Sequence, residues 1–401
     1  MLDLNAVQAA LRQMNLDGWL LYDFRGLNVL ARRVVGLGGD AILSRRWFYF
    51  IPTRGEPRKL VHRIEPGALD AYPGTKNVYL RWQELEAGVA DLLAGCRRVA
   101  MEYVPRNANP YVSRVDAGTI EQVKSCGVEV VPSGDLVQLF EACWDDEQWA
   151  MHLEAAKLTR AAYDSVFRLI ADAARKGRPV TETQAQSHIM DYFAANKLVT
   201  DHPPIVGVGP HSADPHFAPS AALDVPVAEG QFVLIDLWAK LDRPRAVYSD
   251  LTRVGFVGER VPDRFEAVFR VVARARDAAI ARVREAFAAG RPLHGWEVDA
   301  AAREVIEEAG HGAHFLHRTG HSIGQEAHGN GANMDDLETH DERLVLPRTC
   351  FSIEPGIYLP EFGVRSEVNV YVDADGQVQV TGGLQSVVVP ILAAGERERI
   401  A

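Results

Sequence analysis

Five strand-like segments each carry a polar group where the pattern calls for an apolar one. Asp236 interrupts FVLIDLW, Asp250 sits in VYSDLTR, Glu354 in FSIEPGIY, Glu367 in GVRSEVNV and His321 in HRTGHSIG. A carboxylate buried alone in such a strand is costly unless it is protonated, paired or bound to a metal. Singly, each group reads as an edge-strand acid facing water or a hydrogen-bonded core histidine. Together they need a common partner, and the nearest cations in sequence are Arg253 and Arg365, two against four acids. Two divalent cations would balance four carboxylates and leave the imidazole neutral. Oxygen and nitrogen donors of this kind suit manganese, cobalt, iron or zinc, whereas calcium or magnesium would make less use of the histidine.

Strand periodicity adds companions to the five. Alternate residues share a face, so Arg365, Glu367 and Asn369 point one way on their strand, as do Ser352, Glu354, Gly356 and Tyr358 on theirs. Arg365 and Tyr358 can therefore face the same cavity as the acids. If 317–321 is extended, His317 and His321 also share a face. Pro355 and Gly356 directly after Glu354 predict a bend there.

The elements that must position these groups follow from the hydrophobic pattern. Leu4, Val7, Leu11 and Met14 have helical spacing, and GWLLYDF, FYFIPTR and PRKLVHRIE read as strands. A helix around QELEAGVADLLAG, a strand RVAMEY, a helix over 113–125 and a strand VEVVPS complete an α/β domain over 1–144. After Cys143 the chain changes character and a long amphipathic helix begins at DDEQWAMHLEAAK. A second helix starts at Thr181, where Thr181 and Gln184 form a capping-box pattern. Strands PPIVGVG, QFVLIDLWAK and AVYSDLTRVGFVG follow. The order then repeats, with helices over 263–287 and 295–310 and short strands around 317–321, TCFSIEPGIYL, GVRSEVNVYVD and QVQVTG. Residues 145–401 therefore read as an α+β domain whose sheet is built from two similar αα-plus-β units, with helices backing it and a site between the halves.

Composition narrows the function further. The chain has 401 residues, 47% of them hydrophobic, and 43 basic against 54 acidic side chains give a net charge of -11. A general nucleic-acid-binding surface is not expected from that balance. Cys96, Cys126, Cys143 and Cys350 form no CxxC pair, which fits reduced thiols in a cytoplasmic protein. No apolar run approaches a membrane span and the start lacks a signal-peptide pattern, so neither a membrane nor export is expected.

With these motifs in place, the chain resembles the proline-specific metallopeptidases of the pita-bread fold, the Xaa-Pro aminopeptidases and prolidases with a creatinase-type N-terminal domain, and the resemblance implies pseudo-twofold αα-plus-β halves sharing a curved, mainly antiparallel sheet backed by helices. VLIDLWAK, YSDLTR, TGHSIG, SIEPGIY and VRSEVNV match that family's five metal-ligand motifs in identity and order. The resemblance implies that Asp236 binds one metal, that Asp250 and Glu367 bridge two, and that His321 and Glu354 bind the other, with manganese ahead of cobalt, zinc or iron. It assigns His216 in ADPHF and His328 to the substrate site alongside the acid-base Glu354, and it places His317, Tyr358 and Arg365 on the pocket wall. The implied reaction is attack of a metal-bridging hydroxide on an Xaa-Pro carbonyl in a short peptide, carried out by a homodimer. Aminopeptidase P is the leading expectation and prolidase the alternative. A non-peptide C-N hydrolase, a lyase and a non-catalytic binding member are further alternatives. The chain departs from the family in its long loop between Asp236 and Asp250, in Trp238 where glycine is frequent, in GQEAHG around His328 and in His211 where asparagine is common.

Overall fold

The computed structural model describes residues 3–37 and 43–393. They fall into two compact units, 1–141 and 142–401. In the first, strands β1 (Gly18–Asp23), β2 (Trp47–Pro52), β3 (Arg58–His62), β4 (Thr75–Tyr79), β5 (Arg98–Met101) and β6 (Glu129–Pro132) form one mixed sheet in the order β4-β3-β2-β1-β5-β6. Helices α1 (Leu4–Gln13), α2 (Val29–Val35), α3 (Trp82–Leu92), α4 (Ala117–Ser125) and α5 (Gly134–Glu141) accompany it. The helix expected over 113–125 starts at Ala117, because Asp116 caps it by accepting from the Thr119 amide.

The second unit opens with α6 (Asp146–Arg175) and α7 (Glu182–Ala195). Reciprocal capping boxes start both, Asp145 with Gln148 and Thr181 with Gln184. Strands β7 (Leu198–Val199), β8 (Ile205–Val208), β9 (Phe232–Leu241) and β10 (Ser249–Phe256) come next, then α8 (Asp263–Ala288) and α9 (Gly295–Glu308). The chain continues through β11 (Ser322–Ile323), β12 (Cys350–Ile353), β13 (Gly356–Leu359), β14 (Phe362–Arg365), β15 (Val368–Val372), β16 (Val378–Thr381) and β17 (Val389–Pro390). Pairing runs β17-β10-β9-β7 with β8 on β9, then β11-β12-β15-β16, then the hairpin β13-β14. All these pairs are antiparallel except β10 with β17. The helix-helix-strand order thus occurs twice.

Strand β9 shows how apolar packing gives way to a polar site. Val233, Ile235 and Leu237 pack against α6 and α7 on one face, while Phe232 and Leu234 join a cluster with Phe265 and Phe269 of α8 on the other. That second face continues through Asp236 and Trp238.

Two expected strands are interrupted, and one is displaced. TCFSIEPGIYL divides into β12 and β13 at Glu354 and Pro355, whose ring removes the amide a continuous ladder would need. GVRSEVNVYVD divides into β14 and β15 at Ser366 and Glu367. The strand expected over 317–321 is instead irregular chain, with an isolated bridge at Gly320 to Met334, and β11 begins only at Ser322. Gly320 lies so close to β12 that an added Cβ would meet the Ser352 carbonyl oxygen at 1.9 Å. Helices α2 and α5 and strands β4, β7 and β17 have no counterpart in the sequence reading.

Candidate active site

Alternate rungs of the β9-β10 ladder present two of the acids. Asp236 is paired with Thr252 and Trp238 with Asp250, so these four side chains share a face. Asn369 of β15 clamps Asp250 by accepting from its amide at 3.0 Å and donating to its carbonyl at 2.6 Å. Glu367, in the gap between β14 and β15, accepts from the Thr252 hydroxyl at 2.8 Å. His321 arrives from the chain before β11 with Nε2 3.5 Å from Asp250 Oδ2 and 3.3 Å from Glu354 Oε1. Glu354 also accepts from the Ser352 hydroxyl at 2.9 Å. One donor atom each of Asp250, His321 and Glu367 lies within 4.8 Å of the others, and all three residues are buried.

A directed hydrogen-bond chain borders this cluster. Arg365 donates from Nη2 to Asp236 Oδ2 at 2.5 Å, from Nε to the Thr252 hydroxyl at 3.0 Å and from Nη1 to the Tyr358 hydroxyl at 2.9 Å. The Tyr358 oxygen lies 2.7 Å from His317 Nε2, and His317 Nδ1 lies 2.7 Å from the Arg318 carbonyl. A carbonyl only accepts, so Nδ1 carries the proton and Nε2 accepts from Tyr358. His328 stands edge-on to His321 with ring centroids 4.3 Å apart. His216 follows Pro215, whose carbonyl accepts from Arg365 at 3.3 Å. Its own side chain is exposed and makes no hydrogen bond among the described residues.

Residues 150–374 match metallopeptidase family M24. The chain belongs to this family. Probable dipeptidase PepE of Mycobacterium tuberculosis is 34% identical over 241 residues, 60% of each chain. The Xaa-Pro dipeptidase of Lactobacillus delbrueckii subsp. lactis is 34% identical over 219 residues, 53% of this chain and 54% of that one. The sequence matches thus span about three fifths or less of these relatives. The crystal structure of dipeptidase PepE from Mycobacterium ulcerans superposes over 96% of both chains, with a TM-score of 0.66 and 25% identity. The fold is the pita-bread arrangement of family M24.

The electrostatics of this M24 site call for cations. Four carboxylates face the guanidinium of Arg365, because Arg253 is turned away to the carbonyls of Thr252, Glu367, Gly382 and Gly383. Burial pushes Asp236 up to about 7 even though Arg365 pulls the other way. Burial, with neighbouring acids adding to it, holds Asp250 and Glu367 well above the usual carboxylate range. Burial raises Glu354 as well, but His321, His317 and Arg365 outweigh it and leave Glu354 below that range. Burial lowers His321 and takes His317 to about 4, so both are neutral at pH 7. Asp236 Oδ1 is buried without a hydrogen-bond partner. Crowded carboxylates, a neutral imidazole and an orphaned carboxylate oxygen together fit a site for divalent metal.

Two contributors are absent from the sequence reading. Thr252 bridges Arg365 and Glu367, and its position two residues after Asp250 on the same strand face was the available signal. Asp201 accepts from the Trp238 indole at 2.7 Å from a polar stretch between β7 and β8 that has no periodicity to mark it.

Proposed function

We propose that this chain is a metal-dependent Xaa-Pro dipeptidase, hydrolysing the bond between a residue and a following proline. The hydrolase reading is carried by the convergence of Asp250, His321 and Glu367 on one buried point. The relatives described above are dipeptidases, which favours that reading and moves aminopeptidase P to second place. Two divalent ions held by Asp236, Asp250, His321, Glu354 and Glu367, with manganese first among the candidates, would supply Lewis acidity toward the scissile carbonyl and lower the pKa of a water.

The remaining steps fall to the chain itself. Glu354 is ionised at neutral pH, so it can take a proton from water and pass it to the departing proline nitrogen. An Xaa-Pro bond is a tertiary amide, and its nitrogen leaves as a secondary amine only once protonated. His328, beside His321, lies where it could donate to the carbonyl oxygen as charge builds there. Arg365, held by Asp236, Thr252 and Tyr358, presents a fixed cation toward the proline side. The exposed His216 joins that edge, one residue after the Pro215 carbonyl that Arg365 also reaches. His317 keeps the Tyr358 hydroxyl oriented by accepting its hydrogen bond. The same reading includes a creatinase-like N-terminal unit, a homodimer and a cytoplasmic setting.

Cleavage of Leu-Pro and Leu-Pro-Gly by manganese-reloaded protein tests this directly. Preference for the dipeptide supports the proposal. Preference for the tripeptide returns the aminopeptidase reading, and hydrolysis of neither removes the peptidase assignment.

A further inference from the structure

Trp238 and Asp201 form a feature that the catalytic residues do not use. Arg365 touches the rung made by Asp236 and Thr252, whereas Trp238 stands in the next rung on that face, opposite Asp250. Trp238 therefore stands level with Asp250, further along the ladder from the Asp236 and Thr252 pair that Arg365 touches. Its indole is only partly buried, packed against the apolar clusters beneath it, and its N-H donates to Asp201 Oδ1 at 2.7 Å. Asp201 keeps 48% of its side chain exposed, and its other oxygen lies 3.5 Å from His202 Nδ1. The indole thus fixes a solvent-facing carboxylate at the edge of the site. Lys240 feels that charge but makes no ion pair with it among the described residues, its ammonium donating to the Gln325 carbonyl at 2.5 Å and lying over the Tyr248 ring, 4.9 Å from its centroid.

An apolar ring ending in a carboxylate has the shape and charge for one kind of side chain. A lysine or arginine can lay its methylene stem on the indole and bring its charge to the carboxylate. An acidic side chain would meet like charge in the same place. Resting on the dipeptidase reading above, we propose that Trp238 and Asp201 form the wall that reads the residue ahead of proline, and that they select substrates with a basic residue there.

Lys-Pro, Leu-Pro and Glu-Pro distinguish this role from a structural one, since all three carry the same α-amino group and the same proline. The measurements are kcat/KM for each, and calorimetric binding of each to manganese-loaded protein, for the natural chain, Asp201→Asn and Trp238→Phe. The natural chain should favour Lys-Pro over Leu-Pro by about fivefold and Glu-Pro least, the scale of one partly exposed charge pair. Asp201→Asn should remove the Lys-Pro advantage while improving Glu-Pro relative to Leu-Pro, and Trp238→Phe should weaken the same ordering by releasing Asp201. A packing defect would instead move all three substrates together. If the binding order holds but no dipeptide is cleaved, the wall stands and the dipeptidase reading fails. If the natural chain binds the three alike, or Asp201→Asn leaves their ratios unchanged, this inference is overturned.

Discussion

Arg365 ties together more of the site than any single acid, since one guanidinium reaches Asp236, Thr252 and Tyr358. Thr252 is the relay between that cation and Glu367, accepting from one and donating to the other. Thr252→Val keeps the shape and removes both bonds inside a buried network, so unfolding in urea should register a loss of about 1 to 3 kcal/mol. Glu354→Gln keeps the volume but cannot take a proton. Turnover of a dipeptide substrate should fall about 10²- to 10⁴-fold with the melting temperature little changed, and near-natural turnover would remove Glu354 from the acid-base role. The five ligand candidates were legible in the sequence because a charge inside an apolar strand is conspicuous. Thr252 was not, since a threonine is an ordinary strand residue and only the fold brings Arg365 to its hydroxyl. Asp201 was hidden for the opposite reason, being one polar residue in a polar stretch.

Strand breaks and close approaches set the geometry at the level of elements. The bend after Glu354 was legible from Pro355 and Gly356, but the break at Ser366 and Glu367 has no proline or glycine to announce it. Gly320 was equally silent, because what it needs is the absence of a side chain against β12. Gly320→Ala would drive a methyl group into the Ser352 carbonyl and push His321 from its place, so calorimetry should show both a lower melting temperature and weaker metal binding. Helix α6 is pinned to the sheet by His152, which bonds the Tyr248 carbonyl at 2.8 Å and the Thr381 hydroxyl at 2.7 Å. Burial lowers His152 from 6.5 to about 4. A folded value below the unfolded one means that its stabilising contribution is complete above pH 6.5 and is lost as pH falls through about 4. Thermal melts of His152→Leu should therefore lose less stability than the natural chain between those two pH values. A parallel decline would show that His152 is not responsible.

Across the whole molecule, three of the site's carboxylates have the opposite pH sign from His152. Asp236 rises from 3.8 to about 7 on folding, and Asp250 and Glu367 are raised as well. The contribution of Asp236 is full below its unfolded value and disappears as pH rises through about 7, and those of Asp250 and Glu367 are lost in the same direction as pH rises through their own raised values. Cations relieve that repulsion, so the gap in melting temperature between metal-loaded and chelator-stripped protein should widen from about pH 5 to about pH 8, as protons give way to metal. A constant gap would mean that these acids do not hold it. The repeated helix-helix-strand order was legible because each half carries its own hydrophobic periodicities. The separation of the strands into distinct hydrogen-bonded sets was not, since strand pairing depends on distant partners. No helix among the described residues is long and apolar enough to cross a membrane. The most direct measurement of the central claim is the metal content of manganese-reloaded, desalted protein by mass spectrometry. Two ions per chain are expected, falling to one or fewer in Asp250→Asn; a natural chain that retains no metal, or a count untouched by Asp250→Asn, would contradict the account.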